Sequence, residues 1–432
     1  MRKKVSVITM GCSKNLVDSE VLLQKFSDNG FDVEHDPESV SGDIVVVNTC
    51  GFIGDAKEES VNMILQLADA RTNGDIEKLY VMGCLSERYM EDLNREIPEV
   101  DKYFGKFNWS KVLDELVENK NDKETTSSNR YITTPSHFAY LKISEGCNRS
   151  CAYCAIPLIT GKHKSVPIDK LVEEATQLAS KGVKELQVIA QDLSYYGLDL
   201  YKKHKLAELV TALSEIQGIE WIRLHYAYPA GFPFEILEVM RTNPKVCTYL
   251  DIAFQHISDN MLKKMKRQVS KQQTYDLIRK IRTEVPGIHL RTTLMTGFPG
   301  ETEEDFQELV QFVKDIRFER LGVFPYSEED GTYAGDHLID DISEEVKLDR
   351  AEKLMAVQEE IANELSVQKV GQEMKVMIDR KEADYYIGRT EFDSPEVDPE
   401  VLVSGKNLNV GSFYTIKIIG AESYDLIGEV IS

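Results

Sequence analysis

Short β-branched or apolar runs recur along this chain, with apolar residues at helical spacing between many of them, so strands and helices alternate for most of its length. Over residues 1–118, the runs Val5–Thr9, Ile44–Asn48 and Leu79–Met82 are each followed by a glycine or cysteine turn and then by helical patterning. That order predicts an open parallel α/β domain with crossover helices. Residues 119–136 are polar, poor in apolar side chains and broken near their end by Pro135, which reads as a linker. Over 137–365, candidate strands fall at Tyr140–Ile143, Leu186–Ala190, Ile222–Tyr226, Leu250–Phe254, His289–Met295 and Gly322–Phe324. Helical stretches such as 168–181 (Leu171, Val172, Ala175, Leu178) and 303–316 (Phe306, Leu309, Val310, Val313) separate several of them, and six parallel strands make a partial (β/α)6 barrel. A long helix is predicted over 343–368, its stripe of Leu354, Val357, Ile361 and Leu365 marking a packed face. Five short alternating strands then fit into 366–432 (Met374–Asp379, Tyr385–Arg389, Val401–Val403, Phe413–Ile419, Leu426–Ile431), as in a small closed β-barrel of the oligonucleotide-binding type.

Composition narrows the class. With 432 residues, 42% hydrophobic and 29% charged, the chain has the profile of a soluble globular protein of two or three domains. No stretch is apolar enough to span a membrane, and the apolar run after the basic start is broken at Gly11–Asn15, too soon for a signal peptide, so a cytoplasmic protein is expected. The net charge of −22 disfavours phosphate backbones and favours basic partners. The C-terminal segment, with seven Lys or Arg against twelve Asp or Glu, has the same bias, so its barrel is expected to face a basic protein rather than a nucleic acid.

Six of the seven cysteines fall into two sets of three, a distribution that suits metal chemistry better than a disulfide framework. Cys247 leads into an apolar run and reads as a core thiol. Cys147, Cys151 and Cys154 form C-x3-C-x2-C on the loop after the first barrel strand. Three thiolates so placed can hold three irons of a cubic cluster and leave the fourth open. A structural zinc site is the alternative; it needs a fourth ligand, for which His163, in a basic context that favours a solvated loop, is the only near candidate. Cys12, Cys50 and Cys84 each follow one of the first three strands, at the sheet edge where open α/β folds bind ligands, which favours a second cluster over three unrelated buried thiols. Gln191 and Asp192, His225 and Tyr226, Gln255 and His256, and Thr296–Gly300 are expected at the carboxyl face of the barrel, where polar groups hold a nucleoside and an amino acid. Each has a plain framework reading too: a satisfied histidine, an ion-paired Arg291, glycines at 297 and 300 that only turn the chain.

With both triplets placed, the sequence resembles the methylthiotransferase family of radical S-adenosylmethionine (SAM) enzymes over essentially its whole length. The matching stretches are Gly11–Glu20, Asn48–Ile53, Met82–Leu85, the central Glu145–Cys154 motif with Tyr153 before its last cysteine, and Gly297–Thr302. Ser13–Ser19 resembles the RimO branch, whose members modify ribosomal protein uS12; relatives acting on transfer RNA usually have Gln-Met-Asn after the first cysteine. The resemblance implies that Cys147, Cys151 and Cys154 hold a 4Fe-4S cluster that splits SAM to a 5′-deoxyadenosyl radical, with Tyr153, Gln191, Asp192 and Arg291 as cofactor contacts. It implies that Cys12, Cys50 and Cys84 hold a second 4Fe-4S cluster on which sulfur is carried and methylated, and that the C-terminal barrel is a TRAM domain. The implied reaction adds a methylthio group to the β-carbon of an aspartate in uS12. Implied partners are uS12 or the small ribosomal subunit and an electron donor such as flavodoxin or ferredoxin, with no membrane and no direct transfer-RNA substrate. Two other readings stay open at this point: an adenosine of transfer RNA as substrate, and a non-catalytic zinc-containing ribosome-binding protein.

Overall fold

A computed structural model describes residues 3–40, 42–116 and 129–431. Its first sheet is all parallel, in the order β2-β1-β3-β4-β5, built from β1 (Lys4–Thr9), β2 (Asp32–His35), β3 (Gly42–Thr49), β4 (Ile76–Gly83) and β5 (Lys102–Tyr103). Helices cover both faces, which is why Ile44–Val47 is an unbroken apolar run rather than an alternating one. Ile44 and Val46 pack with Leu22, Leu23 and Phe26 of α1 (Ser13–Asp28). Val45 and Val47 pack instead with Ile64 and Leu67 of α2 (Gly54–Asn73) and with Leu85 and Leu93 of α3 (Cys84–Glu96). The sequence pattern showed three of these five strands; β2 reads Asp-Val-Glu-His and β5 has two residues, too polar or too short to register.

The linker expected over 119–136 lies outside the described residues as far as 128. Residues 130–136 are tied down: Arg130 is buried against Glu20 (2.8 Å) and Glu174 (2.6 Å), and the Thr133 backbone N–H donates to Glu20 at 2.7 Å.

The central region starts with β6 (Phe138–Lys142) and the short antiparallel ribbon of β7 (Ser144–Glu145) and β8 (Lys164–Ser165). It continues with β9 (Glu185–Ile189), β10 (Trp221–Ala227), β11 (Val246–Ile252), β12 (His289–Thr296) and β13 (Arg320–Pro325), in the parallel order β13-β12-β11-β10-β9-β6. Strand alternation gives this sheet two characters. Leu186, Val188, Leu224, Leu250, Leu290 and Leu294 join the helices in the main core, together with Leu354 and Ile361 of the long helix Glu344–Val367. The alternate side chains turn to the concave side and are polar: Arg223 bonds Glu185, His225 bonds Gln187, Arg291 bonds Asp251.

The C-terminal strands β14 (Glu373–Glu382), β15 (Tyr385–Thr390), β16 (Val401–Ser404), β17 (Phe413–Glu422) and β18 (Asp425–Val430) close a barrel in the order β14-β15-β16-β18-β17. The loop between β15 and β16 reaches into the concave side of the central sheet: Asp393 pairs with Arg320, Tyr140 Oη donates to Glu396 (2.9 Å), and Asp398 takes Tyr249 Oη (2.8 Å) and Arg291 (3.3 Å). Glu185 at the start of β9 lies between Arg223 (2.9 Å) and Arg389 (2.8 Å). The small barrel is therefore built into the floor of the large one. Part of the acidity that the sequence assigned to a partner-facing surface is spent on these internal arginines and tyrosines.

Candidate functional site

The β7–β8 ribbon brackets the loop that carries Cys147, Cys151 and Cys154, and the Cys147 N–H donates to the Gly161 carbonyl (3.1 Å) across the loop neck. Gly146 sits at φ +73, and a Cβ there would run into the Lys162 carbonyl, so glycine is required where the chain enters the loop. Ala152 is fully buried against Met261, Met265 and Phe298, an apolar seat that keeps water from one side of the thiols. Arg267 closes another side, Nη1 lying 3.4 Å from Cys151 Sγ and 3.1 Å from Tyr153 Oη. Tyr228 lies between two cations, with the Arg149 and Arg267 guanidinium carbons each 4.1 Å from its ring centroid and its hydroxyl 3.6 Å from Cys151 Sγ. Burial pushes the Cys147 thiol up to about 11 and the Cys154 thiol up to about 12, and neighbouring thiols of the triplet add to both shifts. Cys147 and Cys154 thus sit where neutral thiols are favoured until a cation displaces their protons.

The N-terminal triplet gathers at the carboxyl ends of β1, β3 and β4. Cys12 is the residue before α1, Cys50 follows β3, and Cys84 opens α3. In the order 2-1-3-4-5 the sheet reverses direction between β1 and β3, the crevice where open α/β sheets take ligands, and Cys12 and Cys50 flank it. The loops are pressed together: at Gly11 (φ +86) a Cβ would come within 2.6 Å of Cys50 Cβ, and at Gly83 (φ +106) within 2.5 Å of the Thr49 backbone. Desolvation opposes ionisation of Cys12, but Lys14, the Asn15 N–H and Lys106 outweigh it and lower this thiol. Burial dominates at the other two, raising Cys50 and pushing Cys84 up to about 12. Buried Lys106 lies 3.8 Å from Cys84 Sγ and pairs with Asp18 (3.2 Å), which also pairs with Lys142 of β6.

The two triplets adjoin. Cys84 packs directly with Ala155 and Ile159, the former being the residue after Cys154. A buried clasp fixes this approach. Arg88 of α3 donates to Glu329 Oε2 (2.7 Å), to the Asp330 carbonyl (2.9 Å) and to the carbonyl of Gly51 (2.9 Å), beside Cys50; Lys57 of α2 meets the same Glu329 oxygen at 2.9 Å.

Of the other residues singled out from sequence, Tyr153 lies beside Cys151 through Arg267, and Gln191 has a buried Oε1 with no hydrogen-bond partner among the described residues. Asp192 is engaged by the protein, accepting from Arg149 Nε (2.7 Å) and from the Ser194 N–H (2.8 Å), so it holds the cysteine loop in place. Arg291 is apart from the thiols, between Asp251 and Asp398. His256 is a satisfied framework group: Nδ1 accepts from the Ile257 and Ser258 N–H groups, and Nε2 meets Glu301 (3.0 Å). Gly297 and Gly300 turn the chain toward the helix Glu303–Ile316, whose capping box is Thr302 and Asp305. His163 is not in a solvated loop: it is 4% exposed, bonded to Ser165 (3.1 Å) and packed on Tyr195 (4.9 Å), the flanking lysines taking the water instead. Cys247 is a buried core thiol, 1% exposed. Arg267, Tyr228, Lys106 and the Arg88–Glu329 clasp carried no sequence signal, since each reaches its site from a distant part of the chain.

Each triplet offers three thiolates, a donor set that an iron–sulfur cluster can take. Among the described residues no three His, Cys, Asp or Glu side chains converge as ligands of one ion would. Cluster thiolates each bind a different iron and need no such convergence.

Family models match three segments: the Radical SAM superfamily at residues 141–313, Uncharacterized protein family UPF0004 at 4–105 and the TRAM domain at 370–431. Proteins named ribosomal protein uS12 methylthiotransferase RimO from Bacteroides fragilis and Phocaeicola vulgatus are 60% and 59% identical to this chain, each over 432 residues and with full coverage of both chains. Among solved structures, the radical S-adenosylmethionine methyltransferase TsrM from Kitasatospora setae, with cobalamin and a 4Fe-4S cluster bound, matches with TM-score 0.56 and 14% identity over 78% of this chain and 77% of that one. The cobalamin-dependent radical enzyme OxsB matches with TM-score 0.53 over 83% of this chain and 56% of that one, at 14% identity. These two likenesses are of fold alone.

Proposed function

Because this chain belongs to the RimO family of ribosomal protein uS12 methylthiotransferases, we propose that its two cysteine triplets work on one substrate carbon, the β-carbon of an aspartate of uS12. The observation that carries the reading is the packing of Cys84 on Ala155 and Ile159, which puts the N-terminal triplet against the loop of the central one. Cys147, Cys151 and Cys154 would hold the 4Fe-4S cluster of a radical SAM enzyme, and Cys12, Cys50 and Cys84 a second cluster. With SAM bound, such clusters would supply a carbon radical to take hydrogen from a C–H bond too weakly acidic for a base, and a sulfur bearing a methyl group from a second SAM to take the hydrogen's place. The residues around them have separable tasks. Arg149 and Arg267 set positive charge beside the central thiolates, which balances an anionic cluster. Ala152, Met261, Met265 and Phe298 exclude water. Gln191 offers a buried acceptor, suited to a donor group of the cofactor. Lys106 plays at Cys84 the part that Arg267 plays at Cys151.

The working divisions we assign are 1–118 for the second cluster, 137–365 for SAM and 366–432 for the TRAM barrel. No helix among the described residues is long and apolar enough to cross a membrane, and we assign the protein to the cytoplasm with a flavodoxin or ferredoxin as its electron donor. The test is anaerobic incubation of iron-loaded enzyme with SAM, dithionite, sulfide and either uS12 or transfer RNA, followed by mass spectrometry. A methylthio mass on a uS12 aspartate is expected; its appearance on transfer-RNA adenosine alone would assign the other substrate. Zinc in place of iron and acid-labile sulfide in anaerobically purified protein would overturn the enzymatic reading altogether.

A further inference from the structure

We propose that Lys14 binds the carboxylate of the substrate aspartate and so aims its β-carbon between the two cysteine triplets. The proposal rests on the uS12 reading above and adds a residue to it. Lys14 stands in the first turn of α1, two residues beyond Cys12, with Nζ 3.2 Å from the centroid of the Tyr226 ring at the carboxyl end of β10. Helix α1 is held there by Leu16 and Val17, which pack with Phe138, Tyr140, Ile189 and Tyr226. Tyr226 itself is at φ +67, a conformation costly for a residue with a side chain, and it persists because the packing around it fixes it. The ammonium therefore bridges the edge of the N-terminal triplet and the mouth of the central barrel. Its charge reaches Cys12 on one side and His225 and Asp251 on the other.

Lys14 makes no direct ion pair among the described residues, a trait shared in this cleft by Arg267, whose Nη1 is taken by Cys151 and Tyr153. The Lys14 charge reaches Asp251, which Arg291 already holds. Of the other cations around the cleft, Lys106 and Lys142 share Asp18, Arg149 holds Asp192, and Arg291 holds Asp251 and Asp398. Among the described residues Lys14 has neither an ion pair nor a hydrogen bond, only the ring face. A half-buried ammonium on an aromatic face keeps its donors available, and cation–π attraction is weaker than a charge-assisted hydrogen bond to a carboxylate. An aspartate side chain is anionic at neutral pH, and leaving water for a cleft in a protein of net charge −22 is unfavourable unless a fixed cation meets it. Lys14 meets that need two residues beyond Cys12, at the Tyr226 ring on the carboxyl end of β10. The flexible ammonium also lets the carboxylate be held by its oxygens while the adjoining methylene stays uncovered.

The experiment compares the iron-loaded wild-type enzyme with Lys14→Met and Lys14→Arg variants, using recombinant uS12 and uS12 in which the modified aspartate is replaced by asparagine. Binding is measured by fluorescence anisotropy, and methylthiolation kinetics give KM and kcat; iron and sulfide content are determined in each protein. The wild type should bind the aspartate form at least ~tenfold more tightly than the asparagine form. In Lys14→Met that ratio should fall to near one, the loss should appear mainly in KM, and iron content should hold; Lys14→Arg should restore part of the preference. A Lys14→Met enzyme that keeps the aspartate preference overturns the proposal, as does one whose iron content falls, because Lys14 would then be serving the N-terminal triplet. A wild-type enzyme that leaves uS12 unmodified would instead refute the substrate reading, a different failure.

Discussion

Replacing Glu329 by alanine isolates the clasp that joins the two cysteine regions. One carboxylate oxygen accepts from Arg88 at 2.7 Å and from Lys57 at 2.9 Å, with the Glu329 and Arg88 side chains 2% and 5% exposed. Taking away the carboxylate leaves a buried guanidinium without a counter-charge, a change that costs about 3–5 kcal/mol. Here the lower end applies, because Arg88 keeps its bonds to the Gly51 and Asp330 carbonyls and the partly exposed Lys57 can turn to water. A cost of about 3 kcal/mol multiplies the population of undocked molecules roughly a hundredfold. Two readouts follow. Urea unfolding of Arg88→Ala, Glu329→Ala and the double variant should give a coupling energy of about 2–3 kcal/mol. The ratio of 5′-deoxyadenosine formed to methylthio product should rise in Glu329→Ala, since the central triplet is untouched while the other one drifts. A coupling energy below about 0.5 kcal/mol, the range of an exposed pair, with an unchanged product ratio would refute the clasp.

Gly11→Ala places a Cβ 2.6 Å from Cys50 Cβ at a backbone φ of +86, so the variant should lose iron from the N-terminal triplet while the central one keeps its own; iron analysis against a Cys12→Ala reference checks this. Burial would raise the Asp101 carboxyl, but hydrogen bonds from Arg71, Lys78 and the Leu79 N–H outweigh it and bring it down to about 2. Its folded pKa lies below the unfolded one, so its contribution is present above about pH 4 and is lost as pH falls toward 2; stability measured across that window should slope less in Asp101→Asn. Glu185→Gln leaves Arg223 and Arg389 buried around a neutral amide, and urea titration should show a loss of about 3–5 kcal/mol.

The sequence made the chemistry legible because the cysteines of the central loop are local neighbours and those of the N-terminal domain each end a strand. Parallel strand order then brings Cys12, Cys50 and Cys84 to one edge without further information. The six barrel strands and the five of the small barrel were equally visible, since alternation and turn residues are local signals. What stayed hidden depends on chain segments far apart in sequence. Arg267 reaches Cys151 from 116 positions away and Arg88 reaches Glu329 from 241. His163 was misplaced for a related reason: its lysine neighbours advertise solvent, yet the ring turns inward onto Tyr195. Part of the acidic count of the C-terminal segment is internal as well: Glu396 and Asp398 face tyrosines and an arginine of the large barrel.

The central claim is that the two triplets hold separate clusters with separate tasks on one substrate carbon. Its most direct test is the enzyme with Cys12, Cys50 and Cys84 all replaced by alanine, assayed with SAM, dithionite and uS12 for 5′-deoxyadenosine and for the methylthio product. SAM cleavage that persists while methylthiolation stops is the predicted result. Loss of both activities, in protein that still binds iron at Cys147, Cys151 and Cys154, would contradict it.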